Sequence, residues 1–272
     1  MTRREVLLGA AGALAMGSLA ACGAGTSSST TQVADSAPQS SEAPVVGEPV
    51  VTEPTPAEPA SELARMLDAG EVGSIRLIGD SITAGWACDG YGPFTDTVIY
   101  ATEEESFLET GPEVACWAND FRAYAGERGV ASFVNAGIPG AKMQWLAEDP
   151  EAWILESADV IFVMLGTNDA VYYTPEEFRA NAEAGLSAVA DACKLMVVLS
   201  PPTNERTDSV NLYGPEVLDE VLTGLCEERG WQHLSLLNAV QLYTDDFNDD
   251  QVHPTSSGSH KLWERIRAEY GL

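Results

Sequence analysis

The sequence predicts an α/β fold, a three-layer α/β/α sandwich around a parallel sheet of about five strands. Three observations carry that prediction. Apolar strand-like runs alternate with helix-like periodic segments about five times between residue 61 and the C-terminus, the pattern of successive right-handed β–α–β crossovers. The run Val160-Ile161-Phe162-Val163-Met164-Leu165 is continuously apolar, as a central strand covered on both faces must be. Three such runs also end in polar, glycine-containing breaks, at Ser81, Gly140 and Asn168. In sheets of this kind ligands bind beyond the carboxyl ends of the strands, where these breaks converge.

The folded domain is expected over residues 61–272, because the chain before it is of another character. Arg3-Arg4 precede an apolar segment at residues 6–21, which ends in Leu19-Ala20-Ala21-Cys22. A basic start, a short apolar core and small residues before a break describe a signal peptide over residues 1–21. The apolar stretch is too short and glycine-broken for a membrane-spanning helix. Leu-Ala-Ala-Cys resembles the bacterial lipobox, which implies lipidation of Cys22. Thr2-Arg3-Arg4 resembles the twin-arginine export signal, and both export routes stay open. Residues 22–60 are rich in Ser, Thr, Pro and Glu and lack aromatic residues. Such a segment cannot bury enough surface to order itself and reads as a disordered spacer. The expected place is therefore outside the cell, tethered by lipid to the outer membrane face.

Charge narrows the partners. A formal net charge of -28 leaves nothing to neutralise phosphates and excludes a nucleic-acid partner. It suits an acidic surface outside the cell and leaves a monomer the simplest state. Besides Cys22 there are four cysteines, Cys88, Cys116, Cys193 and Cys226. In an exported protein they suggest disulfides, with three pairings open. Cys88 with Cys116 and Cys193 with Cys226 are preferred because each closes a local loop; buried free thiols are the alternative. No pair has the close spacing of a zinc or redox site.

Ser61 is placed to cap a helix over residues 62–69, closed by Gly70. Ile75, Leu77 and Ile78 mark the first strand, which ends in Gly79-Asp80-Ser81-Ile82-Thr83. A glycine turn there lifts the serine onto the sheet rim with its hydroxyl exposed, at or near the start of a helix. Residues 86–111 read as an irregular insertion whose aromatics, Trp86, Tyr91, Phe94 and Tyr100, either line a substrate pocket or pack over the core rim. Pro112 is expected to open a helix with Val114, Trp117, Phe121, Tyr124 and Ala125 on its inner stripe. A second strand covers residues 131–135, followed by Gly137-Ile138-Pro139-Gly140 and a short helical region holding Trp145 and Trp153. After the central run, Thr174-Pro175-Glu176-Glu177 has a threonine cap, a first-position proline and a glutamate that closes a capping box. Strands follow at 195–199 and 231–237, with helices at 215–229, stopped by Gly230, and at 259–270.

A serine nucleophile needs a base, and there are three histidines. His233 lies inside an apolar strand and His260 near the start of the last helix, where structural roles are expected. His253 lies in Asp250-Gln251-Val252-His253-Pro254, just before that helix. The three-residue spacing lets Asp250 fold back onto the imidazole, fixing its tautomer and stabilising the imidazolium.

Together these blocks resemble the SGNH hydrolase superfamily of GDS(L)-type esterases and lipases. Gly79-Asp80-Ser81-Ile82-Thr83 is similar to its first block, Asn135-Ala136-Gly137-Ile138-Pro139-Gly140 to its second, Gly166-Thr167-Asn168-Asp169 to its third and Asp250-Gln251-Val252-His253 to its last. The resemblance spans residues 74–272 and implies a flavodoxin-like arrangement of the sheet. It implies Ser81 as nucleophile, His253 as base and Asp250 as the acid. The oxyanion hole it implies is made by the N–H groups of Ser81 and Gly140 and the side chain of Asn168. Pro139 departs from the more usual small residue and leaves Gly137 as the other candidate for the second donor. No metal or organic cofactor is needed by this chemistry. The activity implied is hydrolysis of carboxylic esters, short acyl or acetyl groups above all, with an acylated glycan as a fitting partner outside the membrane. Acyl transfer to cell-envelope sugars uses the same groups and is the alternative. An inactive carbohydrate-binding surface protein is disfavoured by the intact blocks.

Overall fold

The computed structural model describes residues 61–206 and 210–272; the signal peptide, Cys22 and the spacer lie outside the described residues. In chain order the elements are α1 (Glu62–Asp68), β1 (Ser74–Gly79), α2 (Ser81–Ala84), β2 (Phe94–Ala101), β3 (Ser106–Thr110), α3 (Trp117–Glu127) and β4 (Ser132–Gly137). Then come α4 (Met143–Glu148), α5 (Pro150–Trp153), β5 (Val160–Met164), a 3-10 turn (Asp169–Val171), α6 (Pro175–Ala192) and β6 (Leu195–Ser200). The chain closes with α7 (Pro215–Arg229), β7 (Gln232–Ser235) and α8 (Ser256–Tyr270).

Five strands form one sheet in the order β4-β1-β5-β6-β7, every neighbouring pair parallel. With the β2–β3 pair set aside, this is the 2-1-3-4-5 order of flavodoxin-like sheets, whose direction of winding switches between β1 and β5. The predicted three-layer fold is present. Alternation along each strand divides the apolar residues between two cores. Ile75 and Leu77 of β1, with Val160, Phe162 and Met164 of β5, face Leu63 of α1, Phe121 of α3 and Trp263 of α8. Ile78, Ile161 and Val163 face the other way, onto Trp145 and Trp153, Phe178 and Leu186 of α6, and Leu222 of α7. As expected of a central strand, every residue of β5 is buried.

Local chemistry sets several ends where the sequence placed them. The Thr174 side chain accepts from the Glu177 N–H, and the Glu177 side chain accepts from the Thr174 N–H, the complete capping box. Gly230, at φ +69°, closes α7 in the left-handed conformation, which costs a residue without Cβ little.

Three expectations differ. Residues 86–111 are not wholly irregular: β2 and β3 pair antiparallel, joined by a turn in which Thr102 Oγ1 accepts from the Glu104 and Glu105 N–H groups. The helix expected from Pro112 begins five residues later, at Trp117. Asn119 Nδ2 donates to the carbonyls of Gly111 and Val114 and holds the intervening chain in a turn. The Trp117 N–H goes instead to Ser259 Oγ at 2.9 Å, a cap supplied by α8. Finally, the preferred disulfides are absent, and Cys88, Cys116, Cys193 and Cys226 are free thiols. Cys88 Sγ donates to the Pro254 carbonyl and Cys193 Sγ to that of Val189. Burial raises all four thiols, Cys88 and Cys226 to about 12, so they pack as small apolar groups.

Candidate active site

The three polar breaks do converge on one rim, at the β1/β5 switch point. The Asp80 side chain accepts from the Ile82 N–H at 2.9 Å and caps α2, so Ser81 is the first residue of that short helix. β4 lies beside β1, and its end is locked to α2 through one side chain. Asn135 Nδ2 donates to the Thr83 carbonyl at 2.9 Å, while Asn135 Oδ1 accepts from the Gly137 N–H at 3.1 Å. This settles which glycine can serve an oxyanion. The Gly137 N–H is committed to Asn135, that of Ile138 to Gly79 and that of Ala141 to Ile138. Pro139 has no N–H. The remaining donor of the turn is Gly140, held at φ +80°.

The last block folds back as its spacing predicts. Asp250 Oδ1 accepts from the backbone N–H groups of Val252 and His253, and Oδ2 lies 2.7 Å from His253 Nδ1. The other ring nitrogen, His253 Nε2, is 2.8 Å from Ser81 Oγ. With Asp250 accepting from Nδ1–H, Nε2 is left as the acceptor facing the serine hydroxyl. The turn needs Gln251 at φ +54°, an uncommon region for a residue with a Cβ. Its side chain secures it: Oε1 accepts from the Tyr243 N–H and Nε2 donates to the Asn248 carbonyl. Burial pushes the Asp250 carboxyl up. The hydrogen bond and charge of His253 and the two backbone N–H groups outweigh it and bring the group down to about 2. Asp250 is thus a carboxylate at neutral pH.

Ser81 departs from expectation in one respect. It is buried, 6% exposed, because His253 and the α2 turn cover it. The Trp86 ring lies 4.5 Å from the His253 ring, tilted by 47°, and backs the imidazole. Trp86 is therefore the one aromatic of the insertion placed at the site, whereas Tyr100 is in the core. Nothing in the sequence pattern separated the two roles.

The third block supplies Asn168 and Asp169. Asn168 Nδ2 donates to the Ala141 carbonyl at 2.9 Å, and Arg206 Nη2 donates to Asn168 Oδ1 at 2.8 Å. Asp169 is fully buried and accepts from the N–H groups of Met143 and Gln144, tying the third block to the start of α4. Burial raises its carboxyl to about 7 and that of Asp80 to about 6, against the hydrogen bonds and positive charges that lower them. The other two histidines have the structural roles expected. His233 lies 2.8 Å from Ser200 Oγ, and His260 pairs with Asp120 on the surface. No cluster of three potential metal ligands occurs among the described residues.

A model of the GDSL-like lipase/acylhydrolase family matches residues 77–261, which take in every block described above. No curated protein matches the chain. Among solved structures, Axe2, an acetylxylan esterase from Geobacillus stearothermophilus, is similar at a TM-score of 0.56 and 18% identity, over 74% of this chain and 94% of its own. LAE5, an alpha/beta hydrolase enzyme from the metagenome of Lake Arreo, Spain, gives 0.56 and 19% over 73% and 95%. Three solved catalytic mutants of Axe2, at TM-scores from 0.55 to 0.57, replace a serine, an aspartate and a histidine by alanine.

Proposed function

This chain belongs to the GDSL-like lipase/acylhydrolase family and is a serine ester hydrolase, and we propose that it works through a Ser81–His253–Asp250 triad on short acyl or acetyl esters of glycans outside the cell. The relay from Asp250 Oδ2 to His253 Nδ1 and from His253 Nε2 to Ser81 Oγ, at 2.7 and 2.8 Å, carries the reading. His253 takes the hydroxyl proton as Ser81 Oγ bonds to the ester carbonyl carbon, and the carbonyl π electrons move onto oxygen. Asp250, held as carboxylate, stabilises the imidazolium. The N–H groups of Ser81 and Gly140 and the Asn168 amide hold the oxyanion. Collapse expels the alcohol with the proton from His253 and leaves an acyl-serine. Water, deprotonated by His253, then releases the acid and restores the serine.

Axe2 supports the acetyl-glycan reading by fold and by the residue types of its catalytic mutants. The lipobox-like Leu19-Ala20-Ala21-Cys22 and the acidic balance support export and a lipid tether at Cys22. The test is hydrolysis of p-nitrophenyl acetate by wild type and Ser81→Ala, with and without a sugar acceptor. Only the wild type should turn over and react with a fluorophosphonate, and acceptor should not divert the acetyl group. Wild-type turnover in the variant would end the nucleophile assignment, and acetylated acceptor would favour transfer.

A further inference from the structure

The oxyanion asparagine has a charged partner. Arg206 lies in the loop after β6, far in sequence from the third block, yet its Nη2 donates to Asn168 Oδ1 at 2.8 Å. The neighbouring Glu205 N–H donates to the Gln251 carbonyl at 2.9 Å, inside the turn that holds Asp250 and His253. This loop is therefore pinned at successive residues to both halves of the catalytic apparatus.

We propose that Arg206 is a positioning residue for ester hydrolysis, orienting and polarising the Asn168 carboxamide as an oxyanion donor. The inference rests on the reading of Asn168 given above. A carboxamide offers one acceptor oxygen and two N–H donors. Here the oxygen is held by a guanidinium and one N–H by the Ala141 carbonyl at 2.9 Å, which leaves the second N–H for substrate. Turning the amide over would set Oδ1 against the Ala141 carbonyl, acceptor to acceptor, and the NH₂ against the guanidinium, donor to donor. Both contacts become repulsive, so Arg206 and Ala141 together select one orientation. The charge adds a second effect. A cationic donor on Oδ1 draws electron density from the amide nitrogen, and chained hydrogen bonds strengthen one another. The Nδ2–H that meets the oxyanion is then a better donor than a lone asparagine supplies. The same positive charge lowers Asp80, the residue next to the nucleophile, against the burial that raises it, so its field reaches the reacting end of the site.

The test is a double-mutant cycle in the full chain with Arg206→Met, Asn168→Ala and the pair, read as kcat and KM on p-nitrophenyl acetate beside melting curves. Arg206→Met should lower kcat roughly 10- to 100-fold, the scale of a misplaced catalytic group, with KM little changed. Arg206→Lys, which keeps a charged donor, should recover most of the loss. The double variant should be no slower than Asn168→Ala, since Arg206 acts only through that side chain. Wild-type kcat in Arg206→Met beside a crippled Asn168→Ala would overturn this inference alone. So would losses that multiply in the double variant, or a raised KM at unchanged kcat, which would mark a direct contact with substrate. Wild-type kcat in Asn168→Ala would overturn the oxyanion reading and this inference with it. Should Arg206→Met melt early, the comparison of Arg206→Lys with wild type, with and without Asn168→Ala, decides in the same way.

Discussion

Gly137→Ala tests how closely the nucleophile helix is seated on the sheet. A Cβ at Gly137 would lie 2.7 Å from Ala84 Cα and 2.8 Å from the Thr83 carbonyl carbon, and closer still to the Ala84 nitrogen. Ordinary contact begins near 3.4 Å, so the two segments must part by at least about 0.7 Å. All three neighbours are backbone, and no rotamer change relieves them. What moves is the end of β4 or the α2 turn carrying Ser81, and with either the Asn135 bridge that joins them. Overpacking of this kind costs about 1 to 3 kcal/mol, or a melting temperature lower by roughly 2 to 12 °C in a domain of this size. A misplacement near 1 Å at the reacting groups costs up to roughly 100-fold in rate. Gly126→Ala is the control, because a Cβ there meets nothing within 4 Å inside α3. It should raise stability by roughly 0.4 to 1 kcal/mol and leave turnover alone. Circular-dichroism melts and p-nitrophenyl acetate kinetics on both variants read these effects. A Gly137→Ala protein that melts like wild type and turns over within about threefold of it would refute the close seating.

Asp169 gives a pH dependence of opposite sign to Asp250. Burial raises its folded value to about 7 from a model value of 3.8, so folding takes up a proton between those limits. Its contribution to stability is complete below about pH 4 and is lost as the pH climbs toward 7. Asp169→Asn should therefore show a flatter melting temperature than wild type over that window, and parallel curves would refute the burial argument. Asp250, lowered to about 2, contributes above about pH 4 and fades as acid approaches its folded value, so Asp250→Asn should narrow the stability lost below pH 4; an unchanged acid limb would count against it. Cys22→Ala should move the protein from the detergent phase to the aqueous phase, or leave it unprocessed. Equal aqueous partition of both forms would refute the lipid anchor.

What the sequence displayed and what it hid divide along one physical line. Caps and turns closed by near neighbours were legible: Thr174 with Glu177, Gly230 after α7, and Asp250 three residues before His253. β1, β4 and β5 were legible because a buried parallel strand advertises itself by continuous apolar character. β2 was not, because its pairing shifts register twice, between Phe94 and Val98 and again before Tyr100. The adjacent Ile99 and Tyr100 are both buried while Val98 is exposed, so the strand lacks the alternation that a pattern search requires. The start of α3 was misplaced for a related reason. Its first N–H is taken by Ser259, 142 residues away, and a cap of that origin leaves no local mark. Arg206 belongs with these hidden contacts. It stands 38 residues from Asn168, in a loop without apolar period, where any arginine reads as a solvated charge. The family blocks named the groups that meet the substrate because each sits in its own tight turn. The groups that orient them are supplied by other segments of the chain, and only folding brings them together. The Arg206 variants address that second set: their effect depends on a contact that no window of sequence contains.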